Sequence, residues 1–160
     1  MDLRHVDVDG ARIGYRRAGT GPPLVLLHGG LADGRSWRWE IEAFGADHDA
    51  VACDAPGCGG SDDPPPAFGL DDYADRLAAF IETFRLDRPH VLGLSFGGGL
   101  ALGFAARHPD LPRTLVAASA YAGWGGSLPP DEVARRVAAA ETACTDEPSV
   151  WLPDFLASLF

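Results

Sequence analysis

The N-terminal stretch Met-Asp-Leu-Arg-His-Val-Asp has no apolar core of the kind a secretory signal requires. Nor does the chain hold an apolar run of bilayer length. The uncharged run Val91 to Ala106 is too short and too rich in glycine to span a membrane. Cysteine is scarce: Cys53, Cys58 and Cys144 form an odd set without metal-ligand spacing. They are read as reduced thiols of a cytoplasmic protein, which excludes a disulfide scaffold and leaves no metal site to expect. Gly-Lys-Ser/Thr is absent, so there is no phosphate loop. No Gly-x-Gly-x-x-Gly opens a helix after a strand, so a dinucleotide fold fits poorly, and no cofactor is implied. Positive charge is also short. Thirteen Lys and Arg face 23 Asp and Glu, for a net charge of −10. Such a chain repels phosphate backbones and anionic lipid, and neither nucleic acid nor a membrane is an expected partner.

What is present reads as a globular α/β chain. Apolar residues make up 46% and charged residues 22% of the 160, enough for one compact core. Leu3 to Val8 and Ala11 to Ala18 flank Asp9-Gly10, a two-residue hairpin signal. Four short apolar runs follow: Leu24 to Leu27, Ala50 to Cys53, Val91 to Leu94 and Thr114 to Ala118. Uninterrupted runs of this length suit strands covered on both faces, as in a parallel sheet. Helical periodicity fills the gaps: Trp37 to Phe44, Leu70 to Phe84 and Phe96 to Arg107, the last stopped by Pro109. The expected fold is therefore a mostly parallel sheet with an antiparallel N-terminal hairpin and flanking helices. From Tyr121 the character changes. Pro129-Pro130-Asp131-Glu132 starts another helix, running over Val133 to Ala143. An apolar face of Trp151, Leu152, Phe155, Leu156, Leu159 and Phe160 follows and needs a partner surface. The division expected is 1–122 and 123–160.

Gly93-Leu94-Ser95-Phe96-Gly97 matches G-x-S-x-G between a predicted strand and a predicted helix. That context is what the motif needs, because the serine must sit on a sharp, strained turn. The helix N-terminus directs backbone N–H groups and the positive end of the helix dipole at the place where an oxyanion would form. The bland alternative is a Gly-rich turn with an incidental serine. Two further segments argue against it. Leu26-Leu27-His28-Gly29-Gly30 resembles the His-Gly oxyanion loop of the α/β-hydrolase superfamily. Asp54-Ala55-Pro56-Gly57-Cys58-Gly59-Gly60-Ser61 resembles that family's D-x-P-G-x-G-x-S turn after the next strand. Each motif ends a predicted strand, in the family's order.

The resemblance implies an α/β-hydrolase fold, with 1–122 the N-terminal part of the core and 123–160 the beginning of a helical cap. It implies Ser95 as nucleophile and the N–H groups of Gly30 and Phe96 as the oxyanion hole. His28, Gly29 and Trp124 would lie against the substrate, and Asp54, His28 and Ser61 would chiefly order their loops. Trp37 and Trp39 read as core or pocket wall. Ser rather than Asp at the elbow disfavours dehalogenase and epoxide hydrolase chemistry. A small carboxylic ester or lactone is the expected substrate, ahead of N-terminal peptides or C–C bonds.

The base is missing. A serine hydroxyl needs a neighbouring base to accept its proton, and in this family the histidine follows the serine in sequence. His108 alone does so, thirteen residues along the same helix, which is roughly 20 Å away. His90 is about 16 Å back along the nucleophile strand. His48 lies at that same far edge and His5 in the hairpin. The expectation is a truncated hydrolase lacking triad acid and histidine, with self-association through its open sheet edge. A catalytically inactive fragment or binding module that keeps the fold is the alternative.

Overall fold

The computed structural model describes residues 1–120, 123 and 127–157, excepting the side chains of Ala143, Cys144 and Phe155. Contacts divide the chain into two compact units, Met1–Ala122 and Gly123–Phe160.

The first unit starts with strands β1 (Arg4–Val8) and β2 (Ala11–Ala18). Between them Asp9 and Gly10 both take positive φ, 48° and 77°, the turn whose twist matches paired strands. Then come β3 (Pro23–Leu27), α1 (Arg38–Phe44), β4 (Asp49–Cys53) and α2 (Leu70–Thr83). The unit ends with β5 (His90–Leu94), α3 (Phe96–Arg107) and β6 (Thr114–Ala118). The strands form one sheet in the order β1-β2-β4-β3-β5-β6. β1, β2 and β4 pair antiparallel, and β4, β3, β5 and β6 run parallel.

Alternation along the strands sorts the apolar runs between two faces. Leu24, Leu26, Ala50 and Ala52 pack with Trp37 and Ile41 on the α1 side. Val25, Leu27, Val51 and Val91 face the other way, against residues of α2 and α3 such as Phe80 and Phe104. Both phenylalanines are essentially sealed from solvent, and each such burial contributes roughly 2–3 kcal/mol.

Helix bounds depart from the sequence reading in two places. The segment read as one helix from Trp37 begins instead with a tight 3₁₀ turn over Gly34–Trp37. There the Asp33 carboxylate accepts the Arg35 N–H at 2.8 Å and fixes the start. Trp39 is not core: it is 64% exposed, with the Arg38 guanidinium 4.4 Å above its ring. The second unit holds α4 (Pro130–Thr145) and α5 (Pro148–Ala157). α4 is longer than its apolar pattern suggested, with Pro and two acids in its first turn. On α5 Leu152 and Leu156 are exposed, and Leu159 and Phe160 fall outside the described residues. Among the described residues no helix is long and apolar enough to cross a membrane.

Across α2 and α3, Asp75 takes Arg107 Nε at 2.5 Å and lies 2.8 Å from His108 Nε2. The arginine hydrogen bonds first, then the histidine, hold the Asp75 carboxyl at about 2. A depressed carboxylate contributes fully above the ordinary carboxylate range, and its contribution is lost as pH falls through about 2. Asp75→Asn should therefore lower the urea midpoint at pH 7, and the difference from wild type should shrink steadily from about pH 4 to pH 2. A difference at pH 2 as large as that at pH 7 would show that the clamp is not electrostatic.

Candidate active site

β5 ends at Leu94 and α3 begins at Phe96, so Ser95 alone turns the chain. It does so at φ 52°, ψ −112°, outside the broad allowed regions for an L-residue. The turn is held from both sides. The Ser95 N–H donates to the Ala118 carbonyl of β6 at 2.9 Å, and the Ser95 carbonyl accepts the Gly99 N–H at 3.0 Å. Small residues make the crossing feasible. A Cβ on Gly93 would collide with the Gly97 carbonyl, and one on Gly97 with the carbonyls of Leu27 and His28. A Cβ on Gly98 would meet Ala120. Ser95 and Phe96 are exposed at the sheet rim. Among the described residues no hydrogen bond engages the Ser95 hydroxyl, and its side chain makes no helix-cap bond.

The loop after β3 passes beside this turn. Cβ atoms built on Gly29 and Gly30 would lie 3.8 Å from the Cβ atoms of Ser95 and Phe96 respectively. His28 is 2% exposed and anchors the loop. Its Nε2 accepts the Ala55 N–H at 3.0 Å, which puts the ring proton on Nδ1, 2.8 Å from the Gly29 carbonyl. Both ring nitrogens are thus committed, and His28 has no lone pair to offer a serine. Trp124 lies outside the described residues.

The loop after β4 is organised by Asp54, whose side chain is wholly buried. One oxygen accepts from Arg16 Nη1 at 3.1 Å and the Gly34 N–H at 2.7 Å. The other accepts from the Gly60 N–H at 2.8 Å. Ser61 Oγ donates to the Asp54 carbonyl at 2.7 Å and accepts the Gly14 N–H at 3.0 Å. Arg16 is the functional neighbour the sequence did not reveal: 38 residues separate the pair, and an arginine in a strand reads as solvent-facing.

Neighbouring thiols are not rival nucleophiles. Burial, then the Asp54 charge, pushes Cys53 up to about 12. Burial also raises Cys58, reinforced by Asp54 and Asp33, and a protonated thiol is a poor nucleophile. Behind the elbow lies a small apolar hollow, partly open to solvent, walled by Phe96, Tyr73, Pro56, Leu77, Phe80 and Leu100. The remaining histidines sit elsewhere. His108 is held by Asp75. His90 lies 2.7 Å from Thr114 Oγ1 at the opposite strand ends, with the His48 ring 6.2 Å from its own. His5 is in β1. Among the described residues no cluster of His, Cys, Asp and Glu could hold a metal ion.

Strain at Ser95 has a measurable consequence. Relieving an unfavourable backbone conformation recovers about 1 kcal/mol or more. Ser95→Gly should therefore be about 1 kcal/mol more stable in urea than Ser95→Ala, which keeps the strain; equal stabilities would show a relaxed turn. His28→Ala strands the buried Ala55 N–H and should cost about 1–3 kcal/mol, checked by the same unfolding measurement.

Comparison with known proteins agrees with this geometry. A family model described as the alpha/beta hydrolase fold matches residues 22–140. The chain is 31% identical over 117 residues to a 2-hydroxymuconate semialdehyde hydrolase of Pseudomonas sp., covering 71% of this chain and 41% of the relative. It is 33% identical over 108 residues to a soluble epoxide hydrolase of Corynebacterium sp., covering 68% and 38%. The crystal structure of a hydrolase from Pseudomonas aeruginosa superposes with a TM-score of 0.82 at 26% identity, covering 98% of this chain and 58% of that one. The chain spans about two-fifths of the length of these curated relatives. Its elbow, its two glycine-rich rim loops and a family match over most of its length place it in the α/β-hydrolase superfamily.

Proposed function

We propose that Ser95 is the nucleophile of an acyl-transferring hydrolase that acts on a small carboxylic ester or lactone. The carrying observation is the Ser95 backbone, held at φ 52° between β5 and α3, with no hydrogen bond to its hydroxyl among the described residues. Ser95 Oγ attacks the carbonyl carbon, its proton passes to a base, and the carbonyl oxygen becomes an oxyanion. The N–H groups of Gly30 and Phe96 receive that oxyanion, with Gly29 and His28 holding the loop. A single such donor is typically worth about 3 kcal/mol of barrier. The alkoxide leaves with a proton, and water then hydrolyses the acyl-enzyme. Trp124 would flank the substrate entrance. Residues 123–160 are the beginning of a helical cap, and the protein is cytoplasmic.

The curated relatives are named for different substrates, 2-hydroxymuconate semialdehyde in one case and an epoxide in another. A serine at the elbow favours acyl chemistry over epoxide opening, which uses a carboxylate nucleophile. A second reading rests on a specific observation. None of His5, His28, His48, His90 and His108 is placed to accept the Ser95 proton. On that reading the chain is an inactive fragment or binding module that keeps the fold.

A fluorophosphonate probe and an activated acetyl ester separate the two. The hydrolase reading expects stoichiometric labelling at Ser95, absent in Ser95→Ala, and ester turnover above that variant. Labelling no faster than that of a surface serine, with no turnover, would establish the inactive module instead.

A further inference from the structure

Arg17, Arg35 and Arg107 each grip a carboxylate through Nε and Nη2 together, on Asp49, Asp33 and Asp75. Arg16 does not. Its side chain is 9% exposed, the least of the arginines held in ion pairs. Yet it makes a single hydrogen bond, from Nη1 to Asp54 at 3.1 Å. Among the described residues its Nε and Nη2 have no protein acceptor. A guanidinium carries five N–H donors in a fixed fork, and donors of a charged group left unpaired near the interior cost stability. Arg16 is thus the most buried of these groups and the least satisfied.

Alternation along β2 turns Arg16 and Ala18 to the face that carries α1, and Arg17 to the other, over Phe84. On the α1 face Arg16 opens on a hollow of about 500 Å³ between β2, the 3₁₀ turn and α1, a size ordinary for small-molecule sites. Arg35, Arg38, Trp39 and Ile41 line it as well. Arg35 commits Nε and Nη2 to Asp33 and keeps Nη1. Arg38 has no carboxylate partner among the described residues and lies over the Trp39 ring, which braces it. The turn itself has little left to give. Ser36 Oγ donates to the Asp33 carbonyl, and the Gly34 and Arg35 N–H groups go to the Asp54 and Asp33 carboxylates. The open donors are therefore guanidinium groups, three of them, with the carboxylates of Asp33 and Asp54 buried behind.

We propose that this hollow binds the phosphate group of a small phosphomonoester. Its donors come from a strand, a turn and the start of a helix, which suits an anion with three or four oxygens better than a carboxylate with two. Trp39, 64% exposed, and Ile41 give the body of the ligand an apolar wall. A net charge of −10 repels phosphate over the rest of the surface, so the three arginines make this hollow a local exception. Asp54 joins Arg16 to the Gly34 and Gly60 N–H groups. An anion on the free side of Arg16 therefore steadies the loop after β4 as well. Binding here needs no Ser95 chemistry.

The test titrates phenyl phosphate, inorganic phosphate and benzoate into the full chain by calorimetry at fixed ionic strength, with the arginine Nε–H signals followed by NMR. The expected result is one phenyl phosphate per chain, bound more tightly than inorganic phosphate. The Arg16 and Arg38 signals should shift on binding, and those of Arg17 and Arg107 should not. Arg38→Gln should weaken phenyl phosphate about tenfold, the worth of one charge-assisted hydrogen bond. Trp39→Ala should weaken phenyl phosphate more than inorganic phosphate. Both side chains are exposed, so both variants should keep the wild-type circular dichroism. Three results would each overturn the proposal: no saturable binding of either phosphate, binding that Arg38→Gln leaves unchanged, or benzoate held as tightly as phenyl phosphate. Equal affinity for the two phosphates overturns the assignment to an ester. Should a variant fail to fold, the wild-type Arg16 signal decides alone, since a site elsewhere would leave it unmoved.

Discussion

A carboxylate removed from water must be satisfied by donors at fixed positions, and the rim of this sheet is arranged around one such group. Asp54 takes a guanidinium from β2, an N–H from the 3₁₀ turn that follows the β3 loop, and an N–H from its own loop. A buried ion pair alone is weak evidence of stabilisation, because desolvation offsets the Coulomb attraction. Its value here is positional. The three donors come from three separate segments, and their common acceptor fixes where those segments lie relative to one another. His28 adds a second tie between the loops after β3 and β4, through the Ala55 N–H. With both loops fixed, Gly29 and Gly30 can sit at van der Waals distance from the elbow without contributing a side chain.

The elbow obeys the same logic in apolar form. Ser95 keeps an unfavourable backbone conformation because β5, α3 and the β3 loop close on it through Gly93, Gly97 and Gly98. Strain of this kind persists only where surrounding structure over-determines it. Each of these glycines marks a backbone-to-backbone approach, so the motif reports packing as well as chemistry.

That distinction explains what could be read from sequence. The parallel strands were legible because they are continuous apolar runs, and the hairpin because Asp-Gly is the dipeptide that adopts positive φ twice. Ser95 was legible because glycine spacing is local to the chain. Arg16 was not, since its importance comes from a partner 38 residues away and nothing in Ile-Gly-Tyr-Arg marks one arginine as buried. Nor was the 3₁₀ turn before α1, which depends on Asp33 capping a segment without apolar periodicity. Trp39 misled for a related reason: its bulk suggests burial, yet stacking Arg38 on one face lets the ring remain at the surface.

The site is assembled mainly from backbone. The strained turn and the loop contacts are peptide groups and missing side chains, and they do not depend on which side chain stands at the elbow. This is how one scaffold can underlie relatives that carry the names of a semialdehyde hydrolase and an epoxide hydrolase. Reaction type then turns on two side chains, the nucleophile and the group that takes its proton. On the reading proposed above the first is Ser95. The rings of His28, His48, His90 and His108 are committed to structural partners or placed at the far ends of the strands. The backbone geometry of the rim is therefore set by packing within the first 120 residues, whichever side chain stands at the elbow.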